Sequence, residues 1–122
     1  MQGQELRDLC QQLRDQNTQS FAGRHLEVAY HTLAAVLHCA EGIRDAGLLA
    51  KIQRLAGEQG QWIDTNVPEH KLSSRNAKTR GNESIFVSLG KQAHAMRLGL
   101  KVDDQAGKFR HLNEKTGGGL SS

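Results

Sequence analysis

The segment from residue 24 to residue 41 contains neither glycine nor proline. Within it, apolar side chains recur at spacings of three and four, which is the period of one face of an α-helix. These side chains are Leu26, Ala29, Tyr30, Leu33, Leu37 and Ala40. The pattern predicts a helix over 24–43 at the centre of the hydrophobic core.

Composition extends this helical prediction to the whole chain. Leu and Ala together supply 27 of the 122 residues, whereas Val, Ile and Thr supply 14. That balance favours helices over a sheet. Weaker apolar periodicities predict three further helices, over 5–20, 47–64 and 82–98. We therefore expect an all-α fold, a small antiparallel bundle of about four helices forming one domain over 1–98.

The apolar faces of these helices differ in width. The first helix carries only a narrow stripe of Leu6, Leu9 and Leu13, with Cys10 beside it. A stripe of this kind indicates a helix on the outside of the bundle or one paired with another chain. The third helix contains Gly57 and Gly60, which leave room for another helix to approach closely. A short turn joins the second and third helices, which predicts an antiparallel hairpin.

Two polar segments complete the chain. Residues 66–81 form a basic connector that is long for a structureless loop, so we expect it to be functional, mobile, or partly helical from Ser73 or Ser74 as an N-cap. Residues 99–122 are polar and rich in glycine, which predicts a disordered tail.

The central hairpin resembles a known repeat. Arg24 to Tyr30, followed by Leu33, Val36 and Leu37, is similar to the second helix of a tetratricopeptide repeat, with a small residue at Ala29. The resemblance covers residues 22–64 and implies hairpin packing, a partner-binding role and no catalytic residues. Elsewhere the chain resembles small bacterial helical proteins.

Charge is distributed unevenly along the chain. Residues 66–122 hold ten basic and five acidic side chains, whereas residues 1–65 hold six basic and eight acidic ones. A basic half of this kind favours either a solvated surface or binding to phosphates of nucleic acid. The candidate phosphate-binding residues are Lys71, Arg75, Lys78, Arg80, Lys91 and Arg97.

A second candidate site lies on the predicted central helix. On a helical wheel, Glu27, His31 and His38 fall within about 40° of each other, so they are candidate metal ligands or half-buried interface groups. His31 and His38 are about 10.5 Å apart along the axis, so a metal would need a ligand from another helix. We expect no cofactor.

Other function classes lack support in the sequence. No catalytic motif is present, so we expect a protein that is not an enzyme. No apolar run reaches the roughly 18 residues that span a bilayer, and the polar start is unlike a signal peptide. We therefore expect a cytoplasmic protein with reduced cysteines, each acting as a small core hydrophobe.

These observations favour a non-enzymatic helical module for protein–protein interaction, either with a protein partner or as a homodimer. The lean apolar content supports this expectation, because small domains with limited cores gain stability by association. A nucleic-acid-associated protein and a metal-binding bundle are the two alternatives. We expect no association with membranes.

Overall fold

The computed structural model describes the backbone of residues 2–121 and the side chains of residues 3–107. The described backbone contains helices and no strand, which confirms the all-α prediction. The helices are α1 (Gln2–Ala22), α2 (Leu26–Gly42), α3 (Ala46–Asn66), α4 (Ser74–Thr79) and α5 (Ile85–Ser121).

Two turns of the same form connect the first three helices. Arg24 and Arg44 adopt left-handed backbone conformations, with φ of 62° and 55°. In both turns the next residue donates its amide to the carbonyl five positions earlier, at 2.8 and 3.0 Å. This pattern closes a helix end and reverses the chain within three residues. Neighbouring helices are consequently antiparallel, as predicted for the hairpin of α2 and α3.

Helix α2 lies at the centre of the bundle. It packs closely along α1 and also contacts α3 and α5. Its fully buried side chains are Ala29, Leu33, Val36, Leu37 and Ala40. Because these residues follow the predicted period, the central position of this helix is confirmed.

Helices α3 and α5 approach closely where α3 carries Gly60. A Cβ added at Gly60 would lie 3.0 Å from the Cβ of Phe86, whose side chain is fully buried. The prediction of a close helix approach is confirmed at this residue. It is wrong for Gly57, where an added Cβ would meet open space.

The connector is ordered and partly helical. Ser73 is the N-cap of α4, because its hydroxyl accepts from the Asn76 amide at 3.0 Å and donates to the Pro68 carbonyl at 2.6 Å. Asp64 of α3 accepts from the amide and the hydroxyl of Ser74, both at 2.7 Å. Of the three predicted alternatives, partial helicity from Ser73 is therefore correct, and α4 is fastened to the end of α3.

Helix α5 does not end at residue 98 as predicted. Leu100 is buried against the core, and Arg44 forms ion pairs with Asp103 and Asp104 at 3.7 and 3.8 Å. Burial of Leu100 against the core favours helix beyond residue 98, and the exposed ion pairs add little. The predicted disorder is therefore wrong for residues 99–107. From residue 108 onward, the side chains lie outside the described residues.

Within the described residues, no helix combines the length and the apolar character needed to cross a membrane. The cytoplasmic location expected from the sequence stays a prediction.

Candidate functional site

A buried pair of amide side chains connects α1 to α3. Asn17 and Gln59 are 1% and 5% exposed, and Gln59 Nε2 donates to Asn17 Oδ1 at 2.8 Å. Asn17 Nδ2 donates to the Ala29 carbonyl of α2 at 2.7 Å and to Gln59 Oε1 at 3.3 Å. Buried amides of this kind are stable only when paired. The pair therefore fixes how far apart α1 and α3 stand on either side of α2.

A groove of about 410 Å³ opens between α1 and α3 at this pair. Most of its exposed lining is apolar. The lining residues are Asn17, Thr18, Phe21 and Ala22 from α1, and Leu55, Glu58, Gln59 and Trp62 from α3.

The aromatic rings of Phe21 and Trp62 form one end of the groove, and the Arg24 guanidinium lies over both rings. Phe21 and Trp62 pack edge to face, with their ring centroids 5.6 Å apart. The Arg24 guanidinium carbon lies 3.8 Å from the Trp62 centroid and 5.2 Å from that of Phe21. The arginine also donates to the Phe21 carbonyl at 3.2 Å. The negative faces of these rings thus already hold a cation supplied by the chain itself.

Glu58 supplies the negative charge of the groove. Its carboxylate is 63% exposed and lies 3.8 Å from Arg54 one turn earlier on α3. An exposed pair at this distance is weak, so the carboxylate can exchange Arg54 for another cation. Glu58 is the one acidic or basic side chain among the residues that line the groove.

Three of the predicted phosphate-binding residues are engaged by carboxylates of this chain. Lys71 Nζ lies 2.5 Å from Glu27, Lys91 Nζ lies 2.7 Å from Glu83, and Arg75 lies 3.6 Å from Glu69. The paired lysines and arginine have side chains 62–68% exposed. Each pair reduces the positive potential that would attract a phosphate.

The other three predicted basic residues, Arg80, Arg97 and Lys78, are placed differently. Arg80 donates to Asn76 and, at 3.2 Å, to the Lys71 carbonyl. Arg97 lies 3.1 Å from His94 on α5. Lys78 is exposed in the last turn of α4.

Two of the six predicted basic residues line the same cavity. Lys71 and Arg80 both line a space of about 280 Å³ between α4 and the start of α5. Glu83 lines the same cavity, and its negative charge lowers the affinity of the cavity for an anion.

The three candidate metal ligands do not gather into a site. Glu27 pairs with Lys71, and this hydrogen bond and charge hold the pKa of the Glu27 carboxyl below its usual range. His31 and His38 are exposed, and the His31 ring packs against the edge of Tyr30 at 5.2 Å. Among the described residues, no group of three or more His, Cys, Asp or Glu side chains is placed to hold a metal ion.

The sequence pattern did not identify Asn17, Gln59 or Arg24 as residues of a site. Asn17 lies on a polar helix among Gln and Asp residues, so nothing in its neighbourhood marks it as buried. The usable signal was the interruption of an apolar face by Gln59, between Ala56 and Ile63.

Comparisons with protein-family models, with curated proteins and with solved structures give no match for this chain. Its function is therefore inferred from the geometry of its own residues.

Proposed function

We propose that this chain is a non-enzymatic helical module for protein–protein interaction, which holds a basic amphipathic helix of a partner protein in the groove between α1 and α3. The observation that carries the proposal is the end of the groove, where Phe21 and Trp62 bind the guanidinium of Arg24. The aromatic pair is thus already complementary to a cationic side chain.

The apolar lining favours a helix with aliphatic side chains. Leu55, Phe21 and Trp62 offer apolar surface in a groove of about 410 Å³ between two helices. An amphipathic helix lying in such a groove buries side chains spaced by three and four. The gain comes from removing apolar surface of both molecules from water.

Charge favours a basic partner over an acidic one. Glu58 lines the groove, and its exposed pairing with Arg54 is weak enough to be replaced. A partner lysine or arginine can replace Arg54 as the ion-pair partner of Glu58 and can displace Arg24 from the face of Trp62. An acidic partner would be repelled by the Glu58 carboxylate.

The chemistry of the groove also favours binding over catalysis. Acid–base catalysis requires titratable groups converging on a pocket, whereas Glu58 is alone in this lining. The nucleic-acid alternative is less favoured, because Lys71, Arg75 and Lys91 are paired with carboxylates of the chain.

Trp62 is the only tryptophan of the chain, so its fluorescence reports on the groove. The test uses two synthetic 14-residue helices with one leucine pattern, one carrying lysine and the other glutamate on the polar face. We expect the lysine peptide to change Trp62 emission saturably, with a midpoint of tens of micromolar, and the glutamate peptide to leave it unchanged.

Two matched variants locate the binding. Thr18→Arg places a bulky cation in the groove and should weaken binding at least tenfold, whereas Thr79→Arg on α4 should leave it unchanged. Both threonines are exposed and donate to a carbonyl of their own helix, at 3.1 and 2.6 Å, so the variants lose equivalent contacts. Equal binding by both variants, or no response to the lysine peptide, would overturn the proposal.

Analytical ultracentrifugation of the protein alone tests whether a second copy of this chain fills the groove instead. We expect a monomer at tens of micromolar. A dimer that dissociates in Thr18→Arg but persists in Thr79→Arg would show that a second copy fills the groove, which would overturn the assignment to a basic partner.

A further inference from the structure

The two cysteines of the chain meet between α1 and α2. Cys10 is 1% exposed within the main hydrophobic cluster, and the partly buried Cys39 packs against the same cluster. Burial raises the pKa of the Cys10 thiol and Cys39 raises it further, which agrees with two neighbouring side chains. Cys10 and Cys39 are the only cysteines present.

The register of the two helices independently places these cysteines opposite each other. Leu6 of α1 contacts the position where Gly42 of α2 would carry a Cβ, at 3.6 Å. One end of the pairing is therefore between residues 6 and 42, and the other is the bond from Asn17 to the Ala29 carbonyl. Because the helices are antiparallel, interpolation between these contacts places Cys10 within about one turn of Cys39.

We infer that Cys10 and Cys39 form a modification site, at which a peroxide converts the two thiols into an intrachain disulfide. The inference is independent of the groove and of its proposed partner. It concerns a different pair of helices and depends on no ligand.

The two thiols differ in exposure, which assigns their roles. Cys39 is partly exposed, so its sulfur meets the peroxide first. Its thiolate attacks one peroxide oxygen, the O–O bond breaks and hydroxide leaves, giving a sulfenic acid. The Cys10 sulfur then attacks the Cys39 sulfur, so that an S–S bond forms, the S–O bond breaks and the departing oxygen takes the Cys10 proton as water. In total, two thiols and one hydrogen peroxide give one disulfide and two waters.

Burial of Cys10 favours a disulfide within one chain over a disulfide between two molecules. A thiol that is 1% exposed cannot reach a second molecule without unfolding α1. The resulting bond would join residues that are 29 positions apart in sequence and would restrict the unfolded chain. It would also fasten α1, whose apolar stripe is narrow, to the central helix.

The experiment treats the full-length protein with hydrogen peroxide and measures its intact mass, its free thiols and its thermal unfolding. We expect a mass loss of about 2 Da, loss of both alkylatable thiols, and a midpoint raised by roughly 10 °C that a dithiol reductant reverses. Peptide mapping should show Cys10 linked to Cys39.

Two single variants check the assigned order. Cys10→Ala should stop at a Cys39 sulfenic acid that dimedone traps, whereas Cys39→Ala should leave Cys10 unmodified under the same treatment. Circular dichroism confirms that each variant is folded, and the wild-type mass loss tests the inference even if one variant is not. A disulfide-linked dimer through Cys39, or two thiols that both stay alkylatable after peroxide, would overturn it.

Discussion

Asn17 and Gln59 are 42 residues apart in sequence, yet each side-chain amide donates to the other's carbonyl oxygen, at 3.3 and 2.8 Å, inside the bundle. This reciprocal pair joins α1 to α3, two helices that otherwise contact α2 and α5 far more than each other. The spacing of the groove walls therefore depends on this polar pair as well as on the packing of Phe21 against Trp62.

Removing one amide of this pair should destabilise the protein more than removing both. Asn17→Leu leaves the buried Gln59 amide without its partner, which costs about 1–3 kcal/mol. The double variant Asn17→Leu with Gln59→Met replaces the pair by apolar groups of similar shape and should recover part of that loss. Urea unfolding of the wild type, both single variants and the double variant measures the coupling. Additive losses in the double variant would show that the two amides do not act together.

Glycines one turn apart on α3 should respond in opposite directions to alanine. Gly60→Ala pushes a methyl group to 3.0 Å from the Phe86 Cβ, and overpacking of this kind costs about 1–3 kcal/mol. Gly57→Ala meets open space and gains helix propensity, which stabilises by up to about 1 kcal/mol. The midpoint of thermal unfolding should therefore fall below the wild-type value in Gly60→Ala and rise above it in Gly57→Ala. Similar shifts in both variants would contradict the close contact at Gly60.

The features that could be predicted from the sequence depend on residues close to one another along the chain. The period of α2 placed Ala29, Leu33 and Leu37 in the core, since a central helix buries one face over its full length. Ser73 was predictable as an N-cap because its hydroxyl satisfies an amide in the same turn.

The parts that sequence reasoning missed depend on contacts between distant residues. Nothing near Asn17 in the sequence shows that Gln59 will meet it. The extension of α5 past residue 98 similarly involves contacts with distant residues. Leu100 is buried in the main core cluster, and Arg44, which lies in a turn nearly 60 residues earlier, pairs with Asp103 and Asp104. The groove exists only once α1 and α3 are both in place, so no local pattern could predict it.

The left-handed arginines of the two turns should differ when each is replaced by glycine. A non-glycine residue in this conformation destabilises the folded protein by about 1 kcal/mol. Glycine removes this strain, but part of the gain is lost because the unfolded chain has more conformational freedom at a glycine. Arg44→Gly loses only exposed ion pairs at 3.7 and 3.8 Å, so it should stabilise by about 0.5 kcal/mol.

Arg24→Gly relieves the same backbone strain but removes the guanidinium 3.8 Å from the Trp62 centroid. That stacking is worth about 0.5–1 kcal/mol at an exposed site, so the net stability should be unchanged or lower. Urea unfolding compares the two variants, and Trp62 emission should shift in Arg24→Gly alone. Equal gains in stability with no shift in emission would argue against the cation–π contact.

Cys10 should make the stability of the protein depend on pH in the alkaline range. Burial, together with the hydrogen bond and charge of Cys39, raises the pKa of the Cys10 thiol from 9.0 to about 11. Because the folded protein favours the neutral thiol, this stabilisation is complete below pH 9 and is lost as the pH rises through 11. The wild type should lose about 2 kcal/mol of unfolding free energy over this interval relative to Cys10→Ala, which lacks the titrating group. Urea unfolding of both proteins at pH 8 and pH 11 measures the difference, since other alkaline titrations are common to the two. Parallel losses of stability in the wild type and in Cys10→Ala would mean that the folded structure does not favour the neutral Cys10 thiol.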